Sequence, residues 1–149
     1  MKRGLKSYAV CDLLGITKQS LRYWRVNLDP FKQRSEFDGS NILAYRVIET
    51  CINKQGITVS ELKSNGVKLL FEECTKHHLY LKKLLFVFDK SIHKLDLVDI
   101  KNNEIDLYSP DIRAFSMATI VNEHIESMIY FGTTPAKITD ITEVKSNNS

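Results

Sequence analysis

The chain has 149 residues, 43% of them hydrophobic and 26% charged, with six glycines and three prolines. These proportions exclude wholesale disorder and a collagen-like or linker-like chain, and the length lets one or two small domains bury a core without metal or disulfide staples. The net charge is only +3, but it is unevenly placed: residues 1–35 hold eight Lys/Arg against two acidic residues, a net of +6, whereas residues 67–149 hold ten basic and twelve acidic residues, a net of −2.

The start Met1-Lys2-Arg3 is basic, but Lys6 and Asp12 interrupt the residues after it, which does not suit a signal peptide. Ser7 is placed to cap a first helix carrying Val10, Leu13 and Leu14, and Gly15 ends it. Thr17 can cap a second helix whose apolar pair is Leu21 and Trp24. Residues 27–39 are polar, contain Pro30 and lack helical periodicity, so a loop or small wing is expected. Ile42, Leu43, Tyr45, Val47, Ile48, Cys51 and Ile52 form a broad helical stripe that Gln55-Gly56 closes. Thr58 or Ser60 starts a further short helix, with Glu61 in the position of a capping-box partner of Thr58.

Beyond Gly66, Leu70, Cys74, His77, Leu81, Leu84 and Phe88 recur at spacings of four and three, a heptad-like seam. The pattern predicts a helix to about Lys82 and then a strand over Leu84–Phe88. Asp89-Lys90-Ser91 reads as a turn, and the alternation around Leu95 and Leu97 as a second strand. Lys101-Asn102-Asn103 would turn the chain into a strand at Ile105–Tyr108. Ser109-Pro110-Asp111 predicts the start of a long helix running through Ile112, Phe115, Ala118, Ile120, Val121, Ile125 and Met128 to about Tyr130, with a frayed tail from Thr133. The expected fold class is α+β. A winged helix-turn-helix at 1–66 precedes a dimerisation and interaction module at 67–132, which combines a linking helix, a small antiparallel sheet and a long helix. A flexible tail is expected at 133–149.

The segment from Ser7 to Trp24 carries the functional signal. A helix-turn-helix needs a small residue four positions before its turn glycine, a glycine free to take positive φ, and apolar residues that hold the second helix on the first. Cys11, Gly15, Ile16 and Leu21 fill these places. The second helix is then expected to present Lys18, Gln19, Arg22 and Arg25 outward, long enough to reach base edges or phosphates in a major groove about 12 Å wide. Thr17 and Ser20 stand at its N-terminus, where backbone N–H groups favour an anion.

Leu14-Gly15-Ile16-Thr17 followed by Leu21-Arg22-Tyr23-Trp24 resembles the MerR-type winged helix-turn-helix family. Gln55–Lys63 is similar to that family's segment after its third helix, and the stretch from Leu70 stands where the family places a dimerisation helix. The resemblance covers roughly residues 7–64, with weaker likeness to about 82. It departs at Ser35–Ser40, where the family's wing carries Gly-Tyr-Arg-x-Tyr, and at Arg25, where the family commonly has glutamate. The resemblance implies recognition-helix contacts to DNA from Thr17, Lys18, Gln19, Ser20, Arg22 and Tyr23, and wing contacts from Lys32, Gln33 and Arg34.

Other chemistry-bearing residues point to ordinary roles. Cys11, Cys51 and Cys74 are an odd number of widely spaced cysteines, which predicts small core residues in a reducing, cytoplasmic setting. His77 and His78 are adjacent, so on a helix they diverge by about 100° and do not chelate one metal together. His93 and His124 lack ligand spacing. Asp96, Asp99, Glu104 and Asp106 form an acidic cluster that alternation along strands would place on a solvated face. No apolar run reaches the roughly 18 residues of a membrane-spanning helix. The sequence thus predicts a non-enzymatic, sequence-specific regulator of transcription without metal or cofactor. Its expected partners are double-stranded DNA, a second copy of itself and, through the C-terminal module, possible protein partners, with no membrane. The alternatives are a recombination-directionality or DNA-architectural protein of a mobile element, and a protein-interaction module without DNA binding.

Overall fold

The computed structural model describes residues 4–32, 35–63, 67–101 and 108–129. Helix α1 (Ser7–Leu14) and helix α2 (Lys18–Leu28) are joined by a tight turn in which Gly15 takes φ 70°. An L-residue there would be strained, so the glycine is a backbone requirement. The first helix begins at Ser7 itself, with Lys6 in the cap position and no side-chain cap. Thr17 caps α2 as expected, its Oγ1 accepting from the Ser20 N–H at 3.0 Å.

Helix α3 (Gly39–Asn53) runs through the centre of the core. Ile42, Leu43, Ala44, Tyr45, Val47, Ile48 and Cys51 are all inaccessible to solvent. Its start is a reciprocal capping box: Asp38 accepts from the Asn41 N–H at 2.9 Å and the Asn41 side chain accepts from the Asp38 N–H at 3.3 Å. Before it, Leu5 and Phe37 exchange two backbone hydrogen bonds at 2.8 Å, an antiparallel bridge that ties the residues ahead of α1 to the end of the loop. Helix α4 (Val59–Lys63) starts on the predicted capping box, with Glu61 accepting from the Thr58 N–H at 2.9 Å and Thr58 accepting from the Glu61 N–H at 3.1 Å.

The heptad-like seam does not form one helix. Helix α5 (Val67–Glu73) stops, and helix α6 (His78–Leu81) restarts after a turn. The Thr75 hydroxyl donates to the Glu72 carbonyl at 2.7 Å, and the His77 Nδ1 caps α6 by accepting from the Leu79 N–H at 3.0 Å. Side-chain competition for backbone groups is what breaks the rod. Leu70, Cys74, Leu81, Leu84 and Phe88 are instead buried in the chain's own core, and His77 is exposed. The described residues therefore hold no long dimerisation helix at this seam, and its apolar residues are used internally.

Strands β1 (Leu84–Asp89), β2 (Lys94–Asp99) and β3 (Ile112–Ser116) make an antiparallel sheet in the order β2-β1-β3. The sheet corrects a second expectation. The helical spacing of Ile112 and Phe115 predicts that residues 112–116 open the last helix. They pair instead with β1, and Phe115 stacks on its register partner Phe86 with ring centroids 4.5 Å apart. Helix α7 (Met117–Met128) then starts at Ser116, whose Oγ accepts from the Ala118 N–H at 3.1 Å. The strand expected at Ile105–Tyr108 falls on residues 102–107, outside the described residues, except for Tyr108, which lies in a turn. Tyr130 and the expected tail also lie outside them.

Helix α7 packs on α3, so buried residues from both sides of residue 66 belong to one apolar cluster. Two cations of the sheet region fasten the turn that ends α3. Lys90 donates to the Gly56 carbonyl at 2.9 Å and pairs with Glu61 at 3.4 Å, and the Arg113 Nε donates to the Gln55 carbonyl at 3.2 Å. Burial alone would raise the Glu61 pKa, but the Thr58 N–H and Lys90 outweigh it and hold the carboxyl below the usual range.

Candidate nucleic-acid interface

Helix α2 is two-sided. Leu21, Trp24 and Leu28 point inward and are buried. Gln19, Arg22, Tyr23 and Val26, at spacings of three, four and seven, form the opposite stripe, and Lys18 flanks it. All five are exposed, Tyr23 at 57% and Val26 at 60%. The stripe thus combines two cations, an amide, a phenol and a branched aliphatic, with no acidic residue on the helix. That is a set able to donate to phosphates, bond base edges and touch a thymine methyl.

Arg25 differs from its expected orientation. It lies four residues after Leu21 and three before Leu28, which puts it on the edge of the inward side. Its guanidinium carbon sits 4.8 Å from the centroid of the buried Phe37 ring, and its Nε is buried with no hydrogen-bond partner among the described residues. Arg25 therefore braces α2 against the residues that lead into α3. Thr17 and Ser20 are occupied locally, the Thr17 hydroxyl donating to Ser20 Oγ at 3.1 Å. Thr17 remains exposed and Ser20 is partly covered. Lys32 is exposed, and Gln33 and Arg34 lie outside the described residues.

Two features that pattern reading misses complete the setting. Lys63 of α4 donates to the Asn27 Oδ1 at 3.3 Å, while the Asn27 amide donates back to the Tyr23 carbonyl at 2.8 Å. This brings a cation from 36 residues downstream beside the end of the exposed stripe. At the exit of α2, the buried Asp29 carboxylate accepts from the Phe31 N–H at 2.6 Å and from the Tyr45 hydroxyl at 2.8 Å. Burial, then the Asp29 charge and its hydrogen bond, raise the Tyr45 pKa far above its ordinary value, so the phenol stays a donor. Tyr45→Phe should cost roughly 1–3 kcal/mol, because it leaves a buried carboxylate oxygen unpaired. Urea denaturation of the variant checks this, and an unchanged midpoint would contradict it.

The remaining candidates do not converge. Among the described residues no three His, Cys, Asp or Glu side chains are grouped to hold a metal ion. Asp96 and Asp99 are three apart on β2, which places them on opposite faces of the sheet, and Glu104 and Asp106 lie outside the described residues. The cysteines are free and buried. Burial pushes the Cys74 thiol up to about 12 and raises Cys51 as well, so both are inert at neutral pH. No helix among the described residues is long and apolar enough to cross a membrane. Comparison of the chain with protein-family models, with curated proteins and with solved structures finds no match to any of them.

Proposed function

We propose that the chain is a sequence-specific DNA-binding regulator of transcription whose α1–turn–α2 unit is a winged helix-turn-helix, with residues 1–66 as the DNA-binding part. The observation that carries this reading is the exposed stripe of Gln19, Arg22, Tyr23 and Val26, held outward by Leu21, Trp24 and Leu28. In a major groove this stripe faces base edges, while Lys18 and Lys63 stand at its flanks for phosphates. The excess of positive charge in the first 35 residues suits the same partner. Exposed Lys32 is expected to add a contact to the flanking backbone. A single short helix reads only a few base pairs, so two copies on adjacent half-sites are expected.

The test is fluorescence anisotropy with a duplex selected from a random pool, against scrambled duplex. Arg22→Ala should weaken the selected site by about 1–3 kcal/mol if the guanidinium reads guanine, and should weaken scrambled DNA less. With about four phosphates neutralised per copy, log K should fall with log[salt] at a slope near −3.6 for one copy and about −7 for two. Equal affinity for every duplex, unchanged in Arg22→Ala, would overturn the assignment.

A further inference from the structure

Val26 stands at the middle of the outward side of α2. At about 100° per residue it falls within about 20° of Gln19, with Arg22 to one side and Tyr23 to the other. Leu21, Trp24 and Leu28 lie on the opposite, buried side. Val26 is thus an apolar group, 60% exposed, at the centre of a polar and cationic stripe. A valine in a helix keeps essentially one rotamer, so the helix itself fixes where its two methyl groups point.

Val26 is also the one side chain of the last turn that faces outward. Arg25 lies against Phe37, and Leu28 is buried. Both ends of the Asn27 amide are engaged by the protein: its Nδ2 donates to the Tyr23 carbonyl at 2.8 Å, and its Oδ1 accepts from Lys63 at 3.3 Å. Asn27 therefore draws in a cation and does not reach out for a base. Lys63 Nζ has three donors and Asn27 takes one of them. Arg22 one turn before the valine and Lys63 beside its turn supply positive charge, and α2 carries no acidic residue. An apolar side chain in that setting suits a polyanion that presents an apolar group of its own. In the major groove the C5-methyl of thymine is that group, whereas adenine, guanine and cytosine present donors and acceptors.

We infer that Val26 reads the C5-methyl group of a thymine, within about two base pairs of the base that Arg22 contacts. This rests on the DNA-binding reading, which supplies the duplex. Four residues separate Arg22 from Val26, about 6 Å of helix, and successive base pairs rise by about 3.4 Å. Selectivity at this end of α2 then comes from a methyl contact, without a hydrogen bond to the base.

The test is fluorescence anisotropy of the full chain on the duplex selected from a random pool, with each thymine in turn replaced by uracil, which removes only the methyl group. For wild type, one such replacement should weaken binding about four-fold, the factor for one methyl group lost from an apolar contact. In Val26→Ser, whose side chain is shorter and polar, the same replacement should no longer matter, while exchange of the guanine near it should cost as much as in wild type. At that position 5-methylcytosine should bind wild type more tightly than cytosine, and Val26→Ser should not distinguish the two. Val26 is exposed, so Val26→Ser should unfold at the wild-type midpoint. A selected duplex bound no better than a scrambled one overturns the DNA-binding reading and this inference with it. Preferential binding that no uracil replacement weakens, or a uracil penalty equally large in Val26→Ser, overturns this inference alone.

Discussion

Replacing Trp24 with alanine is expected to destabilise the protein by about 3–5 kcal/mol, the range for a large aromatic lost from a core. The indole is 4% exposed and lies on the inner side of α2 with Leu21 and Leu28. Removing it leaves a void where α2 is seated and takes away the buried area that keeps the opposite stripe facing solvent. Arg22→Ala, two residues earlier and fully outward, should change stability by no more than about 0.5 kcal/mol. Denaturation followed by circular dichroism separates the two. On the proposed function, Trp24→Ala should lose both stability and DNA affinity, whereas Arg22→Ala should lose affinity alone. If Trp24→Ala unfolded at the wild-type midpoint, α2 would not be seated by its indole, and the exposed stripe would lose its physical basis.

Local rules hold where neighbours in sequence are neighbours in space. The Gly15 turn, the Thr17 cap and the Thr58–Glu61 capping box are all legible from short spacings, and each is present. The inward position of Arg25 is also legible, since it shares a helical edge with Leu21 and Leu28, but its charge argues for an outward role. The misreadings share a different cause. Residues 112–116 have helical spacing, yet β1 offers them a free edge and Phe86 offers a stacking partner, and those contacts lie far away along the chain. The seam from Leu70 to Phe88 has heptad spacing, but hydroxyl and imidazole groups at Thr75 and His77 bond the backbone and break the helix there. The Lys63–Asn27 contact beside the candidate interface has no sequence signal at all, because only tertiary packing brings α4 to α2.

Acid should loosen the junction between the two halves of the chain through His124. This side chain is 2% exposed on α7, its Nδ1 has no hydrogen-bond partner among the described residues, and its ring meets that of His78 edge to face at 5.8 Å. Burial, then the nearby charge of Arg46 and that of His78, push its pKa down from 6.5 to about 4. Arg46 belongs to α3 and holds α7 directly, its Nη2 donating to Ser127 Oγ at 3.0 Å. A group whose pKa is lower in the folded state favours unfolding once the unfolded chain starts to take up the proton. Its stability is therefore complete above pH 6.5 and is lost as the pH falls towards 4, a total of about 3 kcal/mol. Urea unfolding at pH 7 and at pH 4.5 should show most of that loss in wild type. His124→Leu fills a similar volume and cannot take up a proton, so it should flatten this arm by about the same amount while leaving the carboxylates to titrate lower down. An acid dependence between pH 7 and 4.5 as steep in His124→Leu as in wild type would place the sensitive group elsewhere. Because α7 is fastened to α3, and α3 carries the turn that leads to α4 and so to the Lys63–Asn27 contact on α2, the proposed DNA-binding function predicts that acid weakening of this packing lowers DNA affinity in the same pH window.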